Sequence, residues 1–183
     1  VVCHSKLAAI RYQKFIRAAL AERLDREKRR PNPDIELIRR IAFLKAVVVV
    51  SSDATNELAV ITEARKEAKR WNGVENFCKP FDFDDPEKDL TGIAFLIVCD
   101  MLLTGFDAPV EQVMYIDKRL REHNLLQAIA RVNRVSKGKS RGFIVDYIGL
   151  ANHLTDALRI YEEEDAQDIQ QGLKNLLSEL PIL

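Results

Sequence analysis

Apolar positions along the chain fall into short continuous runs that alternate with stretches of helical spacing. Val1 to His4 opens as a strand-like run. Leu7, Ala8, Ile10, Tyr12, Phe15, Ile16, Ala19 and Leu20 then follow at mostly helical intervals. That helix extends to about Arg30 and must end near Pro31-Asn32-Pro33, because proline brings no amide to the next turn. Ile35 to Leu44 predicts a second helix. Ala46 to Val50 is an unbroken, mostly β-branched run, the pattern of a strand covered on both faces. Glu57 to Trp71 predicts a helix that Asn72-Gly73 stops. Asn76 to Asp89, rich in aspartate and broken by Pro80 and Pro86, predicts a surface loop. Ile93 to Cys99, Gln112 to Ile116 and Gly142 to Tyr147 predict further strands, with a helix over Leu125 to Val132. Asn152 to Glu164 and Gln167 to Leu180 predict two last helices.

Strands separated by helices imply an α/β fold, a mostly parallel sheet with helices on both faces and right-handed crossovers. The expected division is one domain over residues 1–150 and a helical extension or linker over 151–183. Function in such sheets gathers at the carboxyl ends of the strands. His4-Ser5, Ser51-Ser52-Asp53, Asp100 to Asp107 and Asp146 fall there, which predicts a single working edge. The chain opens in mid-strand without a methionine, which predicts a piece of a longer protein.

Composition narrows the class only a little. Of the 183 residues 47% are hydrophobic, enough for an ordinary core. The formal net charge is zero, so overall charge neither demands nor excludes nucleic acid. Local balance is more informative. Arg23 to Arg30 and Arg131 to Arg141 are dense in basic groups, whereas Glu162-Glu163-Glu164-Asp165 is acidic, an asymmetry that suits one basic working face. Cys3, Cys78 and Cys99 lie far apart and form no CxxC pair. Cys3 and Cys99 sit inside apolar strand-like runs and predict small buried thiols, and the set implies neither a disulfide framework nor a metal knot, as in a reducing compartment. No signal-peptide pattern occurs and no apolar run approaches about eighteen residues, so a cytoplasmic location is expected.

Two segments carry the chemistry. One is Leu103-Thr104-Gly105-Phe106-Asp107-Ala108-Pro109. The other is Gln127-Ala128-Ile129-Ala130-Arg131-Val132-Asn133-Arg134. In the second, steps of four and three place Gln127, Arg131 and Arg134 on one helical ridge. Two guanidiniums there make a multi-donor anion clamp suited to a phosphate chain. Taken alone, that ridge also reads as a solvated charged face, and Thr104 to Pro109 as a plain turn. Their pairing favours the functional reading.

These segments, together with Val113-Met114-Tyr115-Ile116-Asp117-Lys118, Gly142-Phe143-Ile144-Val145-Asp146-Tyr147 and the opening Val1-Val2-Cys3-His4-Ser5, resemble the second RecA-like domain of superfamily 2 helicases and translocases. More narrowly, they resemble the motor region of the restriction subunit of type I restriction-modification enzymes. The resemblance covers roughly residues 1–150. It implies that Thr104, Gly105 and Phe106, with His4 and Ser5, contact nucleic-acid backbone, and that Gly105 and Asp107 couple that contact to the nucleotide. It further implies that Gln127, Arg131 and Arg134 face the γ-phosphate, with Arg134 as the finger and Arg131 as co-sensor. Ala130 stands where many superfamily members have glycine, a small-for-small change.

The implied cofactors are ATP and Mg2+, held chiefly by a first RecA-like domain, since no GxxxxGK[ST] occurs here. The implied partners are double-stranded DNA, the first motor domain and nuclease domain of the same polypeptide, and modification and specificity subunits. The isolated chain is expected to be inactive in ATP hydrolysis and DNA cleavage. Another superfamily 2 helicase or repair translocase, or a non-catalytic α/β partner-binding module, are the alternatives.

Several other residues read two ways. His4 is either a satisfied structural histidine or part of a helix start whose amides, after Ser5 and Lys6, face a backbone phosphate. Arg26 to Arg30 reads as a solvated helix end rather than as part of a DNA groove. Asp82, Asp84 and Asp85 read as a solvated acidic loop, and Trp71 as a helix-end packing residue.

Overall fold

The computed structural model describes residues 1–52, 57–81, 83, 92–99, 101–102, 107–120, 122–134 and 139–149. The expected helices over 152–164 and 167–180, and Asp53, Asp82, Asp84, Asp85 and Asp100, lie outside the described residues. The elements run β1 (Val2–Cys3), α1 (Lys6–Lys28), α2 (Ile35–Phe43), β2 (Lys45–Val49), α3 (Ala59–Arg70), α4 (Gly73–Phe77), β3 (Ile93–Val98), β4 (Val113–Asp117), α5 (Glu122–Val132) and β5 (Phe143–Asp146). The result is a mostly parallel sheet flanked by helices, a RecA-like α/β architecture, with strand order β2-β3-β1-β4-β5. The chain forms two compact units, residues 1–102 with 116–118 and residues 103–115 with 119–183.

In the first unit β2 pairs with β3 in parallel from Lys45↔Ile93 to Val49↔Val98, with a register shift just after Lys45. β1 lies parallel to β3 through Val2↔Val98, and to the end of β4 through Val2↔Ile116 and Cys3↔Asp117. Ala46 to Val49 are all buried, as an unbroken apolar run requires when a strand is covered on both faces. The core gathers Cys3, Ala8, Ala9, Ala46, Val48, Val50, Ile61, Ala64, Ile97 and Cys99. The small Ala8 and Ala9 let the start of α1 approach the sheet closely.

A polar clasp closes the other end of β2. Gln13 Nε2 and Arg17 Nη2 of α1 both donate to the carbonyl of Ala46, at 3.0 and 2.9 Å, and each also donates to the carboxylate of Glu67 on α3. Where α1 ends, Glu27 is fully buried. It accepts from Arg23 at 3.0 Å, from Arg30 at 3.1 Å and from the backbone amide of Asp34 at 3.3 Å. Asp34 in turn caps α2 by accepting from the Leu37 amide at 2.9 Å. The basic run at the end of α1 therefore encloses one buried carboxylate as well as facing solvent.

The Asn72-Gly73 stop is only half of what happens there. α3 ends at Arg70 and Asn72 takes the left-handed conformation at φ 43°, but α4 begins at once with Gly73. A Cβ on Gly73 would stand 2.8 Å from Val47 Cγ1, so glycine lets α4 start against β2. Trp71 is half-buried, with Lys45 Nζ and the Arg70 guanidinium each 5.2 Å from its ring centroid. Phe81 and Phe83 pack edgewise and tilted on Phe43, at centroid distances of 6.0 and 5.0 Å. The loop expected from Asn76 onward instead begins inside α4, where Asn76 is buried, and Phe81 and Phe83 beyond the helix are held by aromatic contacts.

In the second unit β5 neighbours β4, and the Phe143 amide donates to the Gln112 carbonyl at 2.8 Å. Tyr115 and Tyr147 stack with their planes 16° apart. A Cβ on Gly142 would lie 2.1 Å from the Val132 carbonyl oxygen, so this position holds β5 tight against the end of α5. Among the described residues no helix is long and apolar enough to cross a membrane.

Candidate functional site

In the first unit the carboxyl ends of β1, β2 and β4 carry a cluster of polar groups. Ser5 is the N-cap of α1, its hydroxyl oxygen accepting from the Ala8 amide at 3.1 Å. No acidic residue occupies the first turn of α1, so the positive end of the helix dipole is not offset there. Lys6 Nζ donates to the Ser51 carbonyl at 2.8 Å, bridging the ends of β1 and β2. His4 is exposed, with Nδ1 3.5 Å from Asp117 Oδ2, and Tyr12 Oη donates to the same oxygen at 3.0 Å. His4 and Ser5 are therefore brought together beside the last residue of β4. Asp117 and Tyr12, not singled out in the sequence as site residues, order that corner.

In the second unit the described part of the candidate site comprises Asp107, Gln127, Arg131 and Arg134. Thr104, Gly105 and Phe106 lie outside the described residues. Gln127 and Arg131, four apart, share a face of α5 and are half-buried. Arg134 lies two residues beyond the end of α5, which closes at Val132. Its amide donates to the Arg131 carbonyl at 3.3 Å, a tightened closing turn that carries the arginine past the helix end. From there Arg134 Nη1 donates to Asp107 Oδ1 at 2.5 Å. Both side chains are more than half exposed, which leaves the guanidinium's other donors accessible.

Arg131 stands among charges of both signs. Burial lowers its affinity for its proton below the ordinary arginine range; Glu111 and Asp107 oppose that effect, and Arg134 adds to it. Burial raises the Glu111 carboxyl above the usual range, while Arg131 and Lys139 pull it back. Lys139 is buried, its ammonium pushed down by desolvation and partly restored by Glu111. Its Nζ donates to the carbonyls of Pro109 at 3.0 Å and Glu111 at 2.5 Å. Glu111 and Lys139 escaped the sequence reading. A glutamate two residues after a proline and a lysine between glycine and serine look solvated until the fold half-buries the first and buries the second.

Arg131 is half-buried and Arg134 exposed, and guanidiniums are the donor groups best matched to phosphate oxygens. Among the described residues no group of three or more His, Cys, Asp or Glu is placed to hold a metal ion.

A parallel sheet flanked by helices, with polar groups gathered at the strand ends, defines a RecA-like α/β domain. Residues 48–149 match the family model for type I restriction enzyme subunit R domain 3, more than half of the chain, and the chain belongs to that family. It is 47% identical over 107 residues to the MjaIXP type I restriction enzyme endonuclease subunit of Methanocaldococcus jannaschii, covering 58% of this chain and 10% of that protein. It is 45% identical over 109 residues to the HindI endonuclease subunit of Haemophilus influenzae, covering 55% of this chain and 10% of that protein. A Staphylococcus aureus strain COL type I restriction endonuclease subunit is 46% identical over 77 residues, 42% of this chain and 8% of that protein. The chain thus spans about a tenth of the length of the curated relatives it matches.

Proposed function

We propose that this chain is the second RecA-like motor domain of a type I restriction endonuclease subunit, over residues 1–150, with 151–183 as its extension. Its task is to complete an ATP site and couple hydrolysis to movement along duplex DNA. The observation that carries the reading is the meeting of its two separate sequence segments, Asp107 from one and Arg134 from the other, beside Arg131.

In this reading ATP binds between this domain and a first RecA-like domain, which supplies the phosphate-binding loop and the carboxylates for Mg2+. Gln127, Arg131 and Arg134 face the γ-phosphate. As the phosphoryl group transfers, charge grows on its equatorial oxygens, and the Arg134 guanidinium offsets it while Arg131 steadies the neighbouring oxygen. Asp107 keeps Arg134 oriented before the phosphate arrives, and the several N–H donors of the guanidinium let it hold carboxylate and phosphate together.

Thr104, Gly105 and Phe106, with His4 and Ser5, grip the DNA backbone. Such contacts position the duplex without reading its sequence, so binding is salt-sensitive and recognition falls to a specificity subunit. Cleavage belongs to a nuclease domain of the same polypeptide, acting with modification and specificity subunits.

The test is ATP hydrolysis by the full polypeptide assembled with its partner subunits, with and without duplex DNA. DNA-stimulated turnover lost in Arg134→Ala, with folding retained, supports the reading. Unchanged turnover in that variant overturns the finger role and favours a non-catalytic module.

A further inference from the structure

We infer that Lys139 is a positioning residue for the arginine clamp: its ammonium fixes the turn from Asp107 to Glu111 and thereby sets both carboxylates against Arg134 and Arg131. The inference rests on the reading of Gln127, Arg131 and Arg134 as the phosphate-facing group.

Lys139 is only 7% exposed, a state that a lysine rarely occupies without specific partners. Its partners are two carbonyls of one short segment, those of Pro109 and Glu111. That segment turns tightly, since the Glu111 amide donates to the Ala108 carbonyl at 3.0 Å, and Ala108 is fully buried. Asp107 leads into the turn and Glu111 leaves it. Asp107 accepts from Arg134, and Glu111 supplies the main opposing charge at Arg131. Both acidic neighbours of the clamp therefore hang from a turn tied at two points by one ammonium.

An ammonium suits this place because it carries three donors and no acceptor, so it can bind two diverging carbonyls at once. A neutral side chain of equal length would leave both oxygens short of a donor. The turn could then shift by a fraction of an ångström, and donor placement on that scale governs anion affinity.

The experiment uses the full polypeptide that carries this domain, with duplex DNA present. It measures equilibrium binding of a non-hydrolysable ATP analogue, and circular dichroism reports folding. Lys139→Met is compared in the wild-type background and in an Arg131→Ala, Arg134→Ala background. Lys139→Met is expected to weaken binding roughly tenfold in the first and less than about twofold in the second, because it acts through the arginines. Lys139→Arg, which keeps a cation and its donors, is expected to retain most of the affinity. Equal weakening in both backgrounds, no weakening, or loss of the folded state in Lys139→Met overturns the positioning role while leaving the clamp intact. If removal of both arginines leaves affinity unchanged, the clamp reading itself fails and this inference fails with it.

Discussion

Arg134 reaches back to Asp107, twenty-seven residues earlier in the chain, and the two side chains meet at 2.5 Å in the open. An exposed pair of this kind contributes about 0–1 kcal/mol to stability. Asp107→Ala is therefore expected to leave the thermal midpoint nearly unchanged. If the carboxylate orients Arg134 for phosphate, the same variant lowers ATP turnover of the full polypeptide by roughly tenfold. Paired melting and hydrolysis assays separate the two effects, and unaltered turnover would remove the orienting role.

Glu27 offers the opposite case, a carboxylate whose work is structural. Burial alone would raise its pKa, but hydrogen bonds from Arg23, the Asp34 amide and Arg30 outweigh burial and hold it below the ordinary value of 4.5. A depressed folded-state pKa contributes stability above the unfolded value and loses it as pH falls through the folded one. Glu27→Gln is expected to unfold at lower denaturant concentration at neutral pH. The gap from wild type should close below about pH 4.5, where the wild-type carboxyl also takes up its proton. Urea titrations between neutral and acid pH check the sign, and a gap that widens in acid would contradict it.

The cysteines should divide by burial. Cys3 and Cys99 are buried and Cys78 is half-buried. Burial pushes the Cys3 thiol up to about 11, which leaves little thiolate at neutral or mildly alkaline pH. A thiol reagent at mildly alkaline pH is expected to modify Cys78 alone in the native chain, and all three after denaturation. Rapid native labelling of Cys3, located by mass spectrometry, would mean that β1 opens readily.

Gly142→Ala tests the seam between β5 and α5. The new methyl would meet a backbone oxygen, which cannot rotate aside, so either the strand or the helix end must move. Overpacking of this kind costs about 1–3 kcal/mol. Because Val132 follows Arg131 directly, the variant is also expected to weaken nucleotide binding in its folded fraction. Retained stability, read from denaturant unfolding, would show that the seam yields easily.

Most of the framework was legible because periodicity and turn chemistry agree with it. The apolar run Ala46–Val50 is shifted by one residue from β2, and Ile93–Cys99 overruns β3 by one residue at its end. Pro31-Asn32-Pro33 marked the gap between α1 and α2 through local chemistry alone. α4 was illegible because Asn-Gly ordinarily signals a stop, and only packing against Val47 shows why the helix resumes. The end of α5 was legible, but the contact of Arg134 with Asp107 was not, since a pair twenty-seven residues apart meets only through the tertiary fold. Lys139 and Glu111 were hidden for a different reason. Long-range burial decides whether a charged residue is solvent dressing or a strut, and no local pattern encodes it.

The clasp of Gln13 and Arg17 on Ala46 and Glu67 grips the first unit at the amino end of β2, whereas His4, Ser5, Lys6 and Ser51 crowd the opposite end of the strands. One end of the sheet is a hasp and the other a workbench. Substitutions at Gln13, Arg17 or Glu67 alter the hasp and leave the side chains on the bench as they are. An engineer seeking a hardier version of this unit has a region to alter whose side chains lie apart from those proposed to handle DNA.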